Sequence, residues 1–267
     1  MARVVQISDT HLSPIRAYNQ STMRAVLAWL QADPPDLVVH TGDIVIDDPD
    51  DVADRSFAHD LMTRIPSRWV VIPGNHDVGD VTQHADRARR VDAFRATWGG
   101  DRFCVDIDGW RLVGIDVYLL GDDDHDTWLT RSLSGRRPTV VFAHQPISHP
   151  RPGDWGLPAG AQQAFERATS GADIRVIASG HLHRYDTNHH DERGWQWIGC
   201  PSLTIGGRRW DDGSDPRCGL VEHVIEGASL DHRLVRPRGI VDVFLDELDL
   251  ENDGLSSGPL EPWQGTR

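Results

Sequence analysis

The sequence predicts an α/β protein built around a largely parallel sheet. Three observations carry that expectation. Short apolar runs alternate with helical patterns through the first half of the 267 residues. Breakers such as Pro34-Pro35 and Pro73-Gly74 bound the runs. No internal repeat and no long linker divides the chain, so one substantial core is expected, and a chain of this length buries it without staples.

The elements follow in order. Val4-Val5-Gln6-Ile7-Ser8 reads as a buried strand. A helix from about Ser21 to Gln31 places Met23, Val26, Leu27 and Leu30 on one face. Leu37 to His40 is a second strand, Val52 to Arg64 a second helix, Trp69 to Ile72 a third strand and Asp86 to Thr97 a third helix. The texture then changes. Phe103 to Ile107 and Trp110 to Ile115 read as a hairpin around Asp108-Gly109. Thr139 to Ala143 and Ile174 to Ala178 are apolar strands with a helix between them near Ala161 to Thr169. Segments near Trp195 to Ile198, Leu220 to Ile225 and Leu230 to Val235 read as an antiparallel run. Residues 1–236 therefore read as one domain. From about Pro237 an acidic tail follows, with six acidic residues between Asp242 and Asp253 interleaved with Val243, Phe244, Leu245, Leu248 and Leu250. It reads as an amphipathic segment lying on the body, with a partner-binding peptide as the alternative, and with a disordered end.

Composition narrows the function. The chain is 39% hydrophobic and 25% charged, as in an ordinary globular protein. Cys104, Cys200 and Cys218 form no C-x-x-C pair and read as ordinary, partly buried thiols. Every basic residue is arginine, which removes lysine-dependent chemistry. A net charge of −14 disfavours long nucleic acid as a substrate. No signal sequence is evident at the start and no apolar run approaches the ~20 residues that span a bilayer, so a cytoplasmic protein without a membrane partner is expected.

Five short motifs each fall just after a predicted strand: Asp9-Thr10-His11, Gly42-Asp43, Gly74-Asn75-His76-Asp77, Ala143-His144 and Gly180-His181-Leu182-His183. In open α/β sheets the crevice beyond the strands' carboxyl ends is where ligands bind. Seven potential ligands thus converge on one edge: Asp9, His11, Asp43, Asn75, His144, His181 and His183. Each motif alone fits a turn or a capped loop. Together, so many histidines and carboxylates could be buried only at a severe desolvation cost unless cations paired them. Only oxygen and nitrogen donors are present, a set suited to manganese, iron, zinc, cobalt or nickel.

Over roughly residues 3 to 206 the chain resembles the calcineurin-like metallophosphoesterases, with all five motifs in family order. The Gly-Asn-His-Asp form resembles the bacterial cyclic-nucleotide phosphodiesterase and glycerophosphodiesterase branch. The resemblance implies a four-layer αββα sandwich, two mixed sheets flanked by helices, with two divalent metal ions at one edge, manganese or iron foremost. It assigns the first ion to Asp9, His11, Asp43 and His183. The second falls to Asp43, Asn75, His144 and His181, with Asp43 shared. It implies that a hydroxide between the ions attacks phosphorus. It further implies that His76 protonates the leaving alkoxide or steadies the phosphoryl group, with Asp77 as the partner that orients His76.

The implied activity is hydrolysis of a small phosphodiester, a 3′,5′-cyclic nucleotide leading. Ala143-His144-Gln145-Pro146 departs from the His-His-Pro-Pro that many cyclic-nucleotide enzymes carry there, so a phosphomonoesterase or glycerophosphodiesterase stays in view. A nuclease and a non-catalytic metal-binding scaffold are the more distant alternatives, and a homodimer is compatible with all of them. Among other residues, His40, just before the Gly42-Asp43 turn, reads as a satisfied core histidine, with a supporting role behind the metal ligands as the alternative. His125, His149, His189 and His190 read as solvated loop residues, and Asp47 to Asp51 and Asp122 to Asp124 as solvated turns. Arg208, Arg209 and Trp210 lie in a Gly-rich loop, where a phosphate or base contact competes with a plain surface role.

Overall fold

A computed structural model describes residues 1–46, 49–80, 85–147, 156–190 and 192–247. Strand β1 (Ala2–Ile7) leads through helix α1 (Ala17–Ala32) to β2 (Leu37–His40), and α2 (Val52–Met62) connects β2 to β3 (Trp69–Val71). A single-turn helix α3 (Asn75–Val78) and α4 (Arg87–Trp98) come next. The hairpin β4 (Phe103–Ile107) and β5 (Trp110–Gly114) is followed by α5 (Asp123–Ser132), β6 (Thr139–Ala143), α6 (Ala159–Ala168) and β7 (Ile174–Ser179). Strands β8 (Asp186–His190), β9 (Gln196–Gly199), β10 (Leu220–Glu226) and β11 (Ser229–Val235) complete the sheets.

Two mixed sheets result, with strand orders β11-β10-β1-β2-β3 and β4-β5-β6-β7-β9-β8. Strands β1, β2 and β3 are parallel, as are β5, β6, β7 and β9; the hairpins add antiparallel edges. Adjacent residues on each central strand serve opposite cores, as a two-residue period requires. Val4, Val39, Leu112, Val140, Val176 and Val221 fill the space between the sheets. Their neighbours Val5, Val38, Val113, Val141, Ile177 and Leu220 face the helices. Because both faces are covered, these strands read as unbroken apolar runs rather than as alternating ones. The expected four-layer αββα sandwich is the observed architecture.

Helix ends follow from local chemistry. The Asp51 carboxylate accepts from the Ala53 amide at 2.6 Å and opens α2. Asp122 accepts from the Asp124 and His125 amides and opens α5, whose first turn carries three aspartates against the helix dipole. Gly99 closes α4 in the left-handed region at φ 82°.

Several expectations are corrected. Asp122 to Asp124 start a helix instead of forming a plain solvated turn. His125, on that helix, is buried against Trp128, with ring centroids 6.0 Å apart. The segment at Trp195 does not join an antiparallel run with the last two strands: β9 lies parallel to β7 in the other sheet. His189 and His190 sit on strand β8, not in a loop. Cys104 is exposed, whereas Cys200 and Cys218 are buried. Asp50, expected to be a solvated turn residue, pairs with Arg89 and Arg90. Asp47, Asp48 and His149 lie outside the described residues. Among the described residues no helix is long and apolar enough to cross a membrane.

From Pro237 to residue 247 the acidic segment lies on the body. The Gly206 amide donates to the Val243 carbonyl at 2.7 Å, the Leu245 amide donates to the Gly206 carbonyl at 3.0 Å, and Ile240 packs on the core. The end of the chain, where disorder is expected, lies outside the described residues.

One buried acid behind β5 gives the fold a pH dependence. Asp116 is fully buried and accepts from the Tyr118 amide at 2.9 Å. Burial, reinforced by neighbouring Asp101, pushes its carboxyl up to about 8. An unfolded aspartate titrates near ~3.9. The folded state therefore prefers the protonated form, and the stability this contributes is complete below pH ~4 and lost as the pH rises towards 8. Asp116→Asn retains the acceptor and removes the titration. It should raise the melting temperature at pH 8 and gain less at pH 5; a variant no more stable than the parent at pH 8 would refute this.

Candidate metal centre

The carboxyl ends of β1, β2 and β3 and those of β6 and β7 open at one edge of the sandwich, and every expected ligand lies in a turn just beyond one of them. The turns are tight. Asp9, His11, Asp43, His181 and His183 all adopt positive φ, between 45° and 67°. The left-handed region costs a non-glycine residue about 1–3 kcal/mol, and such strain clusters where function demands a geometry. Glycine makes the close approaches possible. A Cβ on Gly74 would lie 2.2 Å from Asp43 Oδ1, and one on Gly180 would lie 2.7 Å from Asp9 Oδ2.

The side chains form adjoining groups. Asp9, His11 and His183 converge, as do Asp43, His144 and His181, and His11 and Asp43 also meet His76. His183 Nε2 is 3.2 Å from Asp9 Oδ1 and 3.5 Å from His11 Nε2. His144 Nε2 lies 3.4 Å from Asp43 Oδ2 and 3.1 Å from Asn75 Oδ1. All seven residues singled out as ligands are thus brought to one place, as is His76, whose Nε2 lies 4.0 Å from Asp43 Oδ2. Asp43, central to two of the groups, is 2% exposed.

This donor set fits cations. His144 Nδ1 lies 2.7 Å from the Thr41 carbonyl and must donate to it. In a neutral ring Nε2 is then a lone pair aimed at Asn75 Oδ1 and Asp43 Oδ2, themselves acceptors on the side that faces it. Three acceptors meeting in a buried space require positive charge among them. Without metal, His144 itself supplies it: burial pulls its pKa down, but Asp43 and Asp9 outweigh that and raise it to about 9. Burial likewise works to raise the Asp9 and Asp43 carboxyls, and facing histidines, His183 for Asp9 and His144 for Asp43, hold both well below the ordinary range. Burial and neighbouring His76 push His11 down to about 3, and burial with His144 pushes His181 to about 4. Neutral imidazoles beside ionised carboxylates are the forms that bind divalent metals.

Asp77 does not fill the role expected of it. Its carboxylate accepts from the Gly74 amide at 2.8 Å and from the Ile44 and Val45 amides. His76 is instead oriented by the Ile46 carbonyl, 2.7 Å from its Nδ1. Asp77 fastens the Gly74 turn to the Asp43 loop; burial and Asp43 push its carboxyl up to about 7 against those amides. Sequence reasoning also missed Ser202 and Thr204, whose hydroxyls donate to the Asp9 carbonyl. Backbone acceptors such as Thr41 and Ile46 leave no sequence signal at all. His40 is a buried, satisfied histidine as expected, drawn down to about 3 by burial. Of the Gly-rich loop, Arg209 turns to the C-terminal segment, its amide 2.8 Å from Asp246 Oδ2 and its guanidinium 4.1 Å from the Phe244 ring. Trp210 stacks on Arg184 at 3.7 Å.

Comparison with known proteins places this geometry in a context. The calcineurin-like phosphoesterase family matches residues 2–185. An uncharacterized metallophosphoesterase of Bacillus subtilis is 30% identical over 149 residues, 54% of this chain and 51% of that protein. A Bos taurus serine/threonine-protein phosphatase is 28% identical over 43% of this chain, which spans 41% of it. A cAMP/cGMP dual specificity phosphodiesterase of Mycobacterium tuberculosis is 28% identical over 82% of this chain and 74% of its own length. Among solved structures, a dimetal phosphatase from Danio rerio superposes with a TM-score of 0.62 at 14% identity, covering 87% of this chain and 95% of that one. At that identity the likeness is one of fold.

Proposed function

The chain belongs to the calcineurin-like phosphoesterase family, and from that premise we propose that this metal-dependent phosphoesterase hydrolyses small phosphodiesters, 3′,5′-cyclic nucleotides foremost. The observation that carries the substrate class is the breadth of likeness to proteins named for it. Besides the mycobacterial enzyme, a probable cyclic nucleotide phosphodiesterase of Moraxella catarrhalis aligns over 74% of this chain and 78% of its own length at 27% identity. The Gly74-Asn75-His76-Asp77 form supports the same reading.

In this reading Asp9, His11, Asp43 and His183 hold one divalent ion and Asp43, Asn75, His144 and His181 a second, manganese or iron foremost. The ions supply charge to the phosphoryl oxygens and lower the pKa of water. The chain's own groups do the rest. The Thr41 carbonyl fixes His144 so that Nε2 faces inward, and the Asp43 carboxylate serves both ligand groups. His76 is the general acid: a proton leaves Nε2 for the departing alkoxide while Nδ1–H stays on the Ile46 carbonyl, so the ring keeps its orientation as it becomes neutral. Asp77 acts through the backbone, holding the turn that presents Asn75 and His76.

The test is a hydrolysis panel with manganese-loaded protein and its His76→Ala variant on cyclic AMP, a glycerophosphodiester, a phosphomonoester and bis-p-nitrophenyl phosphate. Cyclic AMP should be the preferred substrate. The variant should lose about 10²–10⁴-fold in kcat on alkoxide leaving groups and less on the aryl diester, whose leaving group is a weaker base. A protein that releases product only from the monoester overturns the diesterase reading.

A further inference from the structure

One side chain that the expected ligand set does not use joins the two loops carrying Asp9, His11 and Asp43. We propose that His40 is a positioning residue for the metal centre, holding the loops 9–11 and 42–44 in register from beneath. The inference rests on those loops holding ions, as set out above.

The loops already share three backbone hydrogen bonds, from the Asp9, His11 and Leu12 amides to the Gly42, Asp43 and Ile44 carbonyls, at 3.0, 3.0 and 2.7 Å. They leave the Gly42 amide and the Thr10 hydroxyl to be satisfied, and His40 takes both. Its Nδ1 is 3.1 Å from the Gly42 amide, which can only donate, so Nδ1 carries no proton. The ring proton is therefore on Nε2, 2.9 Å from Thr10 Oγ1. Thr10 then passes its own proton on, donating to the Ile44 carbonyl at 3.1 Å. The tautomer is fixed by a backbone donor, so each bond in the chain has a defined direction.

The residues tied this way are the sequence neighbours of the ligands. Thr10 lies between Asp9 and His11, and Gly42 and Ile44 flank Asp43. These three ligands sit at φ of 53°, 45° and 52°, a conformation that persists only where the surroundings over-determine it. His40 is wholly buried beneath the turns, with no exposed surface of its own. Its hydrogen bonds run to the Gly42 amide and the Thr10 hydroxyl, so it acts on the turns from which three of the ligands project. Partners that orient metal ligands typically contribute 10–100-fold to metal affinity.

The test compares manganese affinity, by titration calorimetry or the electron paramagnetic resonance of free manganese, in the parent protein and in His40→Leu, Thr10→Val and His40→Gln. Far-UV circular dichroism reports the fold of each. His40→Leu and Thr10→Val should bind manganese about 10–100-fold more weakly with an unchanged spectrum. His40→Gln keeps a donor within reach of Thr10 and should recover most of that loss, which simple cavity filling would not do. If His40→Leu fails to fold, Thr10→Val decides alone, since it exchanges one hydroxyl for a methyl. Parent-like affinity in a folded Thr10→Val overturns the proposal and leaves the metal-dependent reading standing. A parent protein that binds no manganese removes both.

Discussion

Asp43→Asn should leave a folded protein that hydrolyses bis-p-nitrophenyl phosphate about a thousandfold more slowly or worse, with manganese content falling from two ions towards one. The backbone tolerates the change: asparagine accepts the left-handed φ of 52° at this position, and its amide oxygen can keep the bond from the His76 amide, 2.9 Å from Asp43 Oδ1. What disappears is the negative charge common to both ligand groups. In the proposed centre, two dications held without it would repel each other in a buried site, where charge is weakly screened. A thousandfold corresponds to about 4 kcal/mol, well within what metal-centred charge stabilisation supplies. A second readout needs no substrate. In metal-free protein Asp43 is the main support for protonated His144, so the pKa of that histidine, about 9 in the parent, should fall in the variant. Proton NMR titration of the His144 ring follows it. A variant with full activity and two bound ions would remove Asp43 from the shared position.

Gly74→Ala should be nearly as damaging, for a reason of space. Gly74 lies in the extended region, at φ −107° and ψ −178°, so alanine meets no backbone strain there. Its Cβ, however, would stand 2.2 Å from Asp43 Oδ1 and 2.3 Å from the Asp43 amide nitrogen. The Asp43 loop cannot retreat, since it is bonded to the β1 loop on one side and to Asp77 on the other. Overpacking of this kind costs about 1–3 kcal/mol of stability. A ligand displaced by about 1 Å costs on the order of a hundredfold in rate. Gly160→Ala is the control: it sits on α6, and a Cβ there meets nothing within 4 Å. Both variants should be compared by thermal unfolding and by hydrolysis of the aryl diester. Equal behaviour of the two would show that the Asp43 loop yields more readily than its hydrogen bonds imply.

The parts of this protein that were legible beforehand are those written in local pattern. The runs at Val4, Val38, Val140 and Val176 are unbroken because both strand faces are covered, and each points to a motif because the chain must turn at the strand's end. Pairing direction is another matter. Nothing in Gln196–Gly199 says whether it lies parallel or antiparallel to its neighbour, since that is decided by where β7 leaves an open edge. At Asp122 the signal was present and misread: a capping aspartate followed by acidic residues is a helix start, but three successive aspartates resemble a solvated loop. Asp77 shows a different limit. A carboxylate next to a histidine in sequence suggests a partner, yet on a helical turn adjacent side chains diverge, and this one turns back to the amides of the preceding loop. The roles of Thr41 and Ile46 are played by carbonyls that every residue owns, so the sequence could not mark them.

Strand β1, which presents Asp9 and His11, is flanked by β2 on one side and by β10 on the other. The first neighbour follows within a few dozen residues, but β10 begins only at Leu220. During synthesis, at about 5–20 residues per second, the two flanks are completed on the order of ten to forty seconds apart. Throughout that interval the strand has one unpaired edge, a template for association with other chains. The ligand loop at its end lacks the support of a finished sheet for as long. The sheet that supports this ligand loop is thus completed only once β10 has been made.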